Sequence, residues 1–330
     1  MSHFTVMVIS NDPEEALAPF QENNMGDCPE EYLEFLSIEE ESLDEYNTGT
    51  RTMVVLPNDG GTVPEHDEFL RNKITGKYEV PEGAHKKEVP FKELYPSFEE
   101  FMSGWRGYEE RDEKTGKYGY WQNPNSKWDW YVLGGRWSGV LIRLKPGAEG
   151  EVGEPGVFNN KTGVDCAKKK DIDFDGIRKE AEEKAGREYD EIWAFLKSVD
   201  YKEGEFKTWK KCLEEFNNNV DEARQAFRSQ RIVALISEKE KSQDYKWFGP
   251  FFDDLSPYLV ERSEFVKRAG DGSFSTFAVI KNGEWYERAE MGWWGMTRGD
   301  MPEGDWNEKI QELLSDVDGE TLISIYDCHI

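Results

Sequence analysis

The chain opens on an apolar, β-branched run, HFTVMVIS, and closes on another, TLISIYDCHI. Both read as buried strands. Two such strands at the ends of a chain predict that they meet in one sheet. Between them, DPEEALAPFQENN and PEEYLEFLSIEEE read as acidic, partly helical segments, the first entered through an Asp-Pro start signal. The stretch from about 57 to 95 is rich in Gly, Pro and charge and reads as loop with short structure. SFEEFMSGW carries Ser97 and, three residues on, Glu100, a capping-box pattern that starts a short helix.

KWDWYVL and WSGVLIRLKP read as two strands joined through Gly134 and Gly135, and residues 147 to 165 as a Gly-rich surface loop. From Phe174 to Phe227 apolar residues recur at helical spacing within a charged sequence, which predicts two or three amphipathic helices. IVALIS then reads as a return to strand. Asn282-Gly283, between FSTFAVIK and EWYERAEMGWWG, is the strongest hairpin signal in the chain. DWNEKIQELLSDV is a last short helix.

The expected fold is therefore α+β: a mixed or antiparallel sheet with ferredoxin-like elements, its first and last strands paired, and a helical insert. The expected division is a first core half over 1–173, the helical insert over 174–230, and a second half over 231–330 that completes the sheet.

Composition changes this picture in two ways. Twelve Trp, fourteen Tyr and nineteen Phe in 330 residues supply core volume that sparse aliphatics would not. The formal net charge is -27, and 13 of those negative charges fall in the first 50 residues, which hold no Lys or Arg. Such a chain repels nucleic-acid phosphates, so direct nucleic-acid binding is not expected; imitation of nucleic acid by the acidic run is an alternative use of the same charge. The four cysteines lie far apart with no CxxC pair, which argues against a zinc module or disulfide framework and for a reducing cytoplasm. No apolar run approaches a membrane span, and no membrane partner is expected.

Chemistry concentrates in two Trp-rich stretches. In NPNSKWDWYVLGGRW, strand alternation places Trp128, Trp130 and Val132 on one face and Asp129 and Tyr131 on the other. As a core strand, Asp129 answers a cation such as Arg136. As a pocket, Trp128, Trp130 and Trp137 stack on a flat ligand while Arg136 holds its anionic group and the glycines admit it closely. The later stretch repeats the theme with Trp285, Glu287, Arg288, Glu290, Trp293, Trp294 and Arg298, either as an acid–base pair beside aromatics or as a hairpin face of Glu–Arg contacts. If the terminal strands pair antiparallel, His3 comes near Asp327 and His329, a set able to hold a divalent metal or share a proton; parallel pairing separates them. No Walker loop, GxGxxG, HExxH or GxSxG motif is present.

Together, MSHFTVMVI, NPNSKWDWYVLGGRWSG, KKDIDFDGIRKEAEEKA, NGEWYERAEMGWWG and DCHI resemble a protein family common in tailed-bacteriophage genomes. The resemblance spans nearly the whole chain. It implies a phage or prophage origin and the cytoplasm of an infected cell, but no activity and no catalytic residues. The expected function is that of a phage accessory protein acting on its host, with a possible anti-defence role, by binding a host protein or small signal. Two alternatives are an enzyme or sponge that takes a nucleotide-like ligand in the Trp/Arg pocket, and an acidic DNA mimic.

Overall fold

The computed structural model describes residues 2–57, 61–72, 76–155, 162–241, 255–291 and 296–330. Contacts divide the chain into two compact units, Met1–Pro19 with Lys127–Ile330, and Phe20–Ser126.

The first unit is built on a seven-stranded mixed sheet. The first strand, His3–Ile9, lies between the last strand, Leu322–His329, and the strand Ala278–Lys281. It runs antiparallel to the last strand, with His3 opposite His329, and parallel to Ala278–Lys281. The last strand pairs on its other edge with Trp130–Gly135 and, further along, with Cys166–Lys168. Ala278–Lys281 turns into Glu284–Glu287 through Asn282 and Gly283, whose φ values of 54° and 78° are those of the hairpin turn their sequence predicts.

Alternation sorts the side chains of the two central strands onto two faces. Met7, Ile9, Ile323 and Ile325 share one face and enter a core with Val279, Trp306, Ile310, Leu313 and Leu314. The last four come from the helix Glu303–Ser315. Phe4, Val6, Val8, Tyr326 and Cys328 fill the opposite face and are all buried.

The helix Phe174–Ser198 begins at Asp173, whose carboxylate accepts from the Gly176 N–H. Trp209–Glu215 and Val220–Arg228 follow, capped by Thr208 and Asn219. Their inner faces join a second core of Ile192, Leu196, Phe206, Phe227 and Leu255.

Two strand expectations are corrected. IVALIS lies in a helix, Arg231–Lys241. A short apolar run does not distinguish a strand from a buried helical turn; here Ile232, Val233 and Ile236 sit at helical spacing and pack into the second core. WSGVLIRLKP is not the return arm of a hairpin. The chain turns at residues 136–140 and then makes isolated bridges, Ile142 to Val164 and Leu144 to Ile172. The turn is governed by buried carboxylates rather than by a two-residue hairpin.

The second unit carries a three-stranded antiparallel sheet with Thr50–Val55 between Thr62–Pro64 and His85–Pro90, so the Gly- and charge-rich stretch holds two strands. Glu34–Ser37 pairs with Gly119–Gln122. Ser97 caps the helix Phe98–Phe101 through the Glu100 N–H, and Phe91, Phe101, Met102 and Tyr118 form the core. Part of the acidic run is answered within this unit. Glu30 pairs with Lys114, Glu39 with Arg111, and Glu41 and Glu45 with Arg106. The Arg111 guanidinium holds the Glu39 carboxyl below its ordinary range.

Candidate functional site

The site stands where the core face of the sheet runs past its covering helix. His3 and Thr5 continue the face of Met7 and Ile9; Asp327 and His329 continue that of Ile323 and Ile325. Ser2 and Ile330 exchange both backbone hydrogen bonds, at 3.1 Å each. The neighbouring pair His3–His329 is therefore non-hydrogen-bonded, the position in an antiparallel ladder where side chains approach closest. The two imidazole centroids are 5.0 Å apart with ring planes at 72°.

Each imidazole is oriented by its own carboxylate. His3 Nδ1 lies 2.8 Å from Asp327 Oδ1. His329 Nδ1 lies 2.6 Å from Asp129 Oδ1, and the Asp129 N–H donates to the His329 carbonyl at 2.9 Å. An ionised carboxylate only accepts, so Nδ1 carries the hydrogen in both rings and Nε2 holds the lone pair when the ring is neutral. Neither Nε2 has a hydrogen-bond partner among the described residues, and neither is sealed from solvent. Trp130, opposite His329 in the ladder, stacks on its ring at 5.3 Å and 16° and stands edge-on to His3 at 5.2 Å. The Trp130 side of the cluster is open: that residue is 43% exposed, whereas Asp327 is 2% exposed.

Asp327 also ties the cluster to the turn that follows. Its Oδ2 accepts from the Arg136 backbone N–H at 2.9 Å. Gly135 lies so close that a Cβ there would meet Asp327 Cβ at 2.4 Å, and its φ is +53°. Gly134 faces a second buried carboxylate in the same way: a Cβ would meet Asp165 Oδ2 at 2.4 Å. Asp165 accepts from Ser138 Oγ at 2.8 Å and from the N–H groups of Gly139 and Gly153 at 2.7 and 2.8 Å. The glycine pair thus admits two carboxylates to a tight turn, and the expected close approach is to protein rather than to ligand.

The candidate residues separate. His3, Asp129, Trp130, Asp327 and His329 converge, with the Arg136 backbone beside them. Asp129 answers His329 and not Arg136, whose half-buried guanidinium has no carboxylate partner among the described residues. The alternation assumed for Trp128 is corrected, because the strand begins at Trp130. Trp128 is buried, donates to the Leu17 carbonyl at 3.2 Å, and meets Tyr131 edge-on at 4.8 Å. Trp137 is half-buried, and its backbone N–H closes the turn on the Gly134 carbonyl. Glu287 lies on the opposite face, held by Lys127 Nζ at 2.7 Å and Trp285 Nε1 at 2.8 Å. Glu290 is exposed, opposite Arg298 in a short two-stranded ribbon. Trp293 and Trp294 lie outside the described residues.

The metal reading is changed by the hydrogen bonding. Both Nδ1 atoms and both Asp327 oxygens are engaged within the protein. Among the described residues, no group of three His, Cys, Asp or Glu is placed to hold a metal ion. Cys328, between Asp327 and His329, faces the other side of the sheet, and burial pushes its thiol well up from the ordinary value. Sequence reasoning missed Asp165, which lay at the end of a presumed surface loop; its one signal was an acid flanked by apolar residues in GVDCA. Among the described residues, a cavity of about 1210 Å³ near Trp193 and Arg262 and another of about 600 Å³ near Gly150 and Lys168 lie away from this cluster. No helix among the described residues is long and apolar enough to cross a membrane. No family model, curated protein or solved structure matches the chain.

Proposed function

We propose that this chain is a phage accessory protein that acts in the host cytoplasm by binding a small host-derived signal, and that the sheet end around His3, Asp129, Trp130, Asp327 and His329 is the binding site. One observation carries the reading. Three segments distant in sequence place two carboxylate-oriented imidazoles side by side, with neither Nε2 engaged by another group among the described residues, His3 partly and His329 barely exposed, and an aromatic ring at the rim. A purely structural histidine pair has no need of two unused nitrogens. Each Nε2 accepts a hydrogen bond when neutral and donates one when protonated, so the pair suits a ligand with anionic or hydroxyl oxygens. Trp130 offers a surface on which a flat group stacks.

The alternative of an acidic DNA mimic draws on the first 50 residues. The pairing of Glu30, Glu39, Glu41 and Glu45 with basic side chains weakens it, because those charges are already answered.

Native purification from infected host cells, followed by mass spectrometry of bound metabolites and proteins, tests the reading. A small molecule is expected with the unaltered chain and is lost with Trp130→Ala and His329→Gln. A stoichiometric protein partner with no small molecule, or a small molecule retained by both variants, would sink it.

A further inference from the structure

We infer that His3 and His329 are a general acid–base pair, and that the substrate is the phosphodiester of a small ribonucleotide. This rests on the binding site proposed above and adds turnover to it.

The chain offers no nucleophile of its own on this face among the described residues that define the site. The Thr5 hydroxyl, next along the first strand, accepts from the Phe277 N–H at 3.1 Å and has no base hydrogen-bonded to it among the described residues. Cys328 is on the other face and fully buried. The attacking group must therefore come from the substrate or from water. Two imidazoles can take one proton and deliver another in the same displacement. A carboxylate at each Nδ1 stabilises the imidazolium as it forms, so either ring can be the one that gains charge. Asp129 and Asp327 are thus positioning residues, and His3 and His329 the catalytic ones.

A reaction that needs a proton removed from a hydroxyl and another given to a departing alkoxide matches this pair. The ribose 2′-hydroxyl beside a 3′,5′-phosphodiester supplies that hydroxyl inside the substrate. The 2′-oxygen–phosphorus bond forms as the phosphorus–5′-oxygen bond breaks. One Nε2 takes the 2′ proton while the other Nε2–H gives its proton to the 5′ oxygen. The products are a 2′,3′-cyclic phosphate and a free 5′-hydroxyl, with no change of oxidation state. The two rings exchange protonation states, and solvent resets them.

Three further observations narrow the substrate. The ring of Trp130, stacked on His329 and 43% exposed, is placed to carry a base. Arg136, fixed by its backbone on Asp327 beside the imidazoles, is a half-buried cation without a carboxylate partner among the described residues. The net charge of -27 opposes a long polyanion far more than a short one.

The test is incubation of the full chain with the complete set of ribodinucleoside monophosphates and their 2′-deoxy counterparts. Products are followed by liquid chromatography with mass spectrometry, and binding by nuclear magnetic resonance of the histidine ring protons. Ribo forms should be cleaved to the 2′,3′-cyclic phosphate with a bell-shaped pH profile, and 2′-deoxy forms bound but left intact. His3→Gln and His329→Gln should each lower kcat by about 100-fold or more, and a cooperative urea denaturation transition in each variant reports that they remain folded. Asp129→Asn should lower kcat and flatten one limb of the pH profile, which loss of a structural contact alone would not do. Ribo forms bound without cleavage would overturn the acid–base assignment and leave the binding site standing. Absence of binding by either form would overturn both. Cleavage that survives in His3→Gln/His329→Gln would overturn the assignment of these residues.

Discussion

Two buried carboxylates flank Gly134 and Gly135, and they differ in what surrounds them. Asp165 accepts three hydrogen bonds, from Ser138, Gly139 and Gly153, and its own backbone carbonyl accepts from the Ile325 N–H at 2.8 Å. Every partner it holds, in the turn, at Gly153 and on the last strand, is part of the protein frame. Asp327 accepts from the Arg136 N–H on one oxygen, but the other orients His3, whose Nε2 is left open. Burial and glycine contact are nearly the same at the two. What separates a structural node from a functional one here is whether the chain of hydrogen bonds closes within the protein or ends at a partly exposed imidazole with an unengaged nitrogen.

The largest effect should come from the structural node. Asp165→Ala strands two buried donors and a half-buried one, and with each unsatisfied buried group costing about 1–3 kcal/mol, a total loss of about 4 kcal/mol is expected in urea denaturation. A loss below about 1 kcal/mol would break the comparison, because it would mean that the node is not needed to hold the turn. Gly135→Ala comes next. The added Cβ collides with Asp327 and sits at positive φ, so about 3 kcal/mol is expected by the same measurement. Gly134→Ala should behave alike through Asp165.

At the functional node the order of effects reverses. His329→Gln should cost about 1 kcal/mol of stability yet remove ligand binding measured by calorimetry. A stability loss as large as that of Asp165→Ala, with binding retained, would make the two nodes equivalent. Arg136→Ala should shift the denaturation midpoint by no more than about 0.5 kcal/mol, since no buried ion pair is broken among the described residues. A loss of about 3 kcal/mol or more would instead reveal a hidden partner. The smallest effect concerns the thiols. Burial raises both Cys166 and Cys328 above the ordinary thiol value, so both should resist alkylation in the native protein at neutral pH and react once it is unfolded. Fast native labelling of Cys328 would show that the sheet behind the site opens.

Much of the frame was readable before the fold was known. The terminal runs of β-branched residues mark the paired first and last strands, and from antiparallel pairing alone His3, Asp327 and His329 fall together. The partners were not readable. Asp129 and His329 are 200 positions apart, and Asp327 and His3 are 324 apart. Arg136 is seven residues from Asp129 and looked the natural partner on local grounds, yet Asp129 bends out of strand alternation onto the ring that the last strand brings beside it.

What the sequence determined by itself was local. The Asn282-Gly283 turn, the Ser97 and Asp173 caps, and the alternation of the central strands each follow from backbone preferences acting over a few residues. Tertiary structure decided the rest. It set the run IVALIS into a helix, because the neighbouring core accepted Ile232, Val233 and Ile236 at helical spacing. It closed the Gly134-Gly135 turn around Asp165 and Asp327. It also chose a carboxylate for each histidine, because a hydrogen bond depends on which strands lie side by side and in what register, and no short window of sequence carries that information.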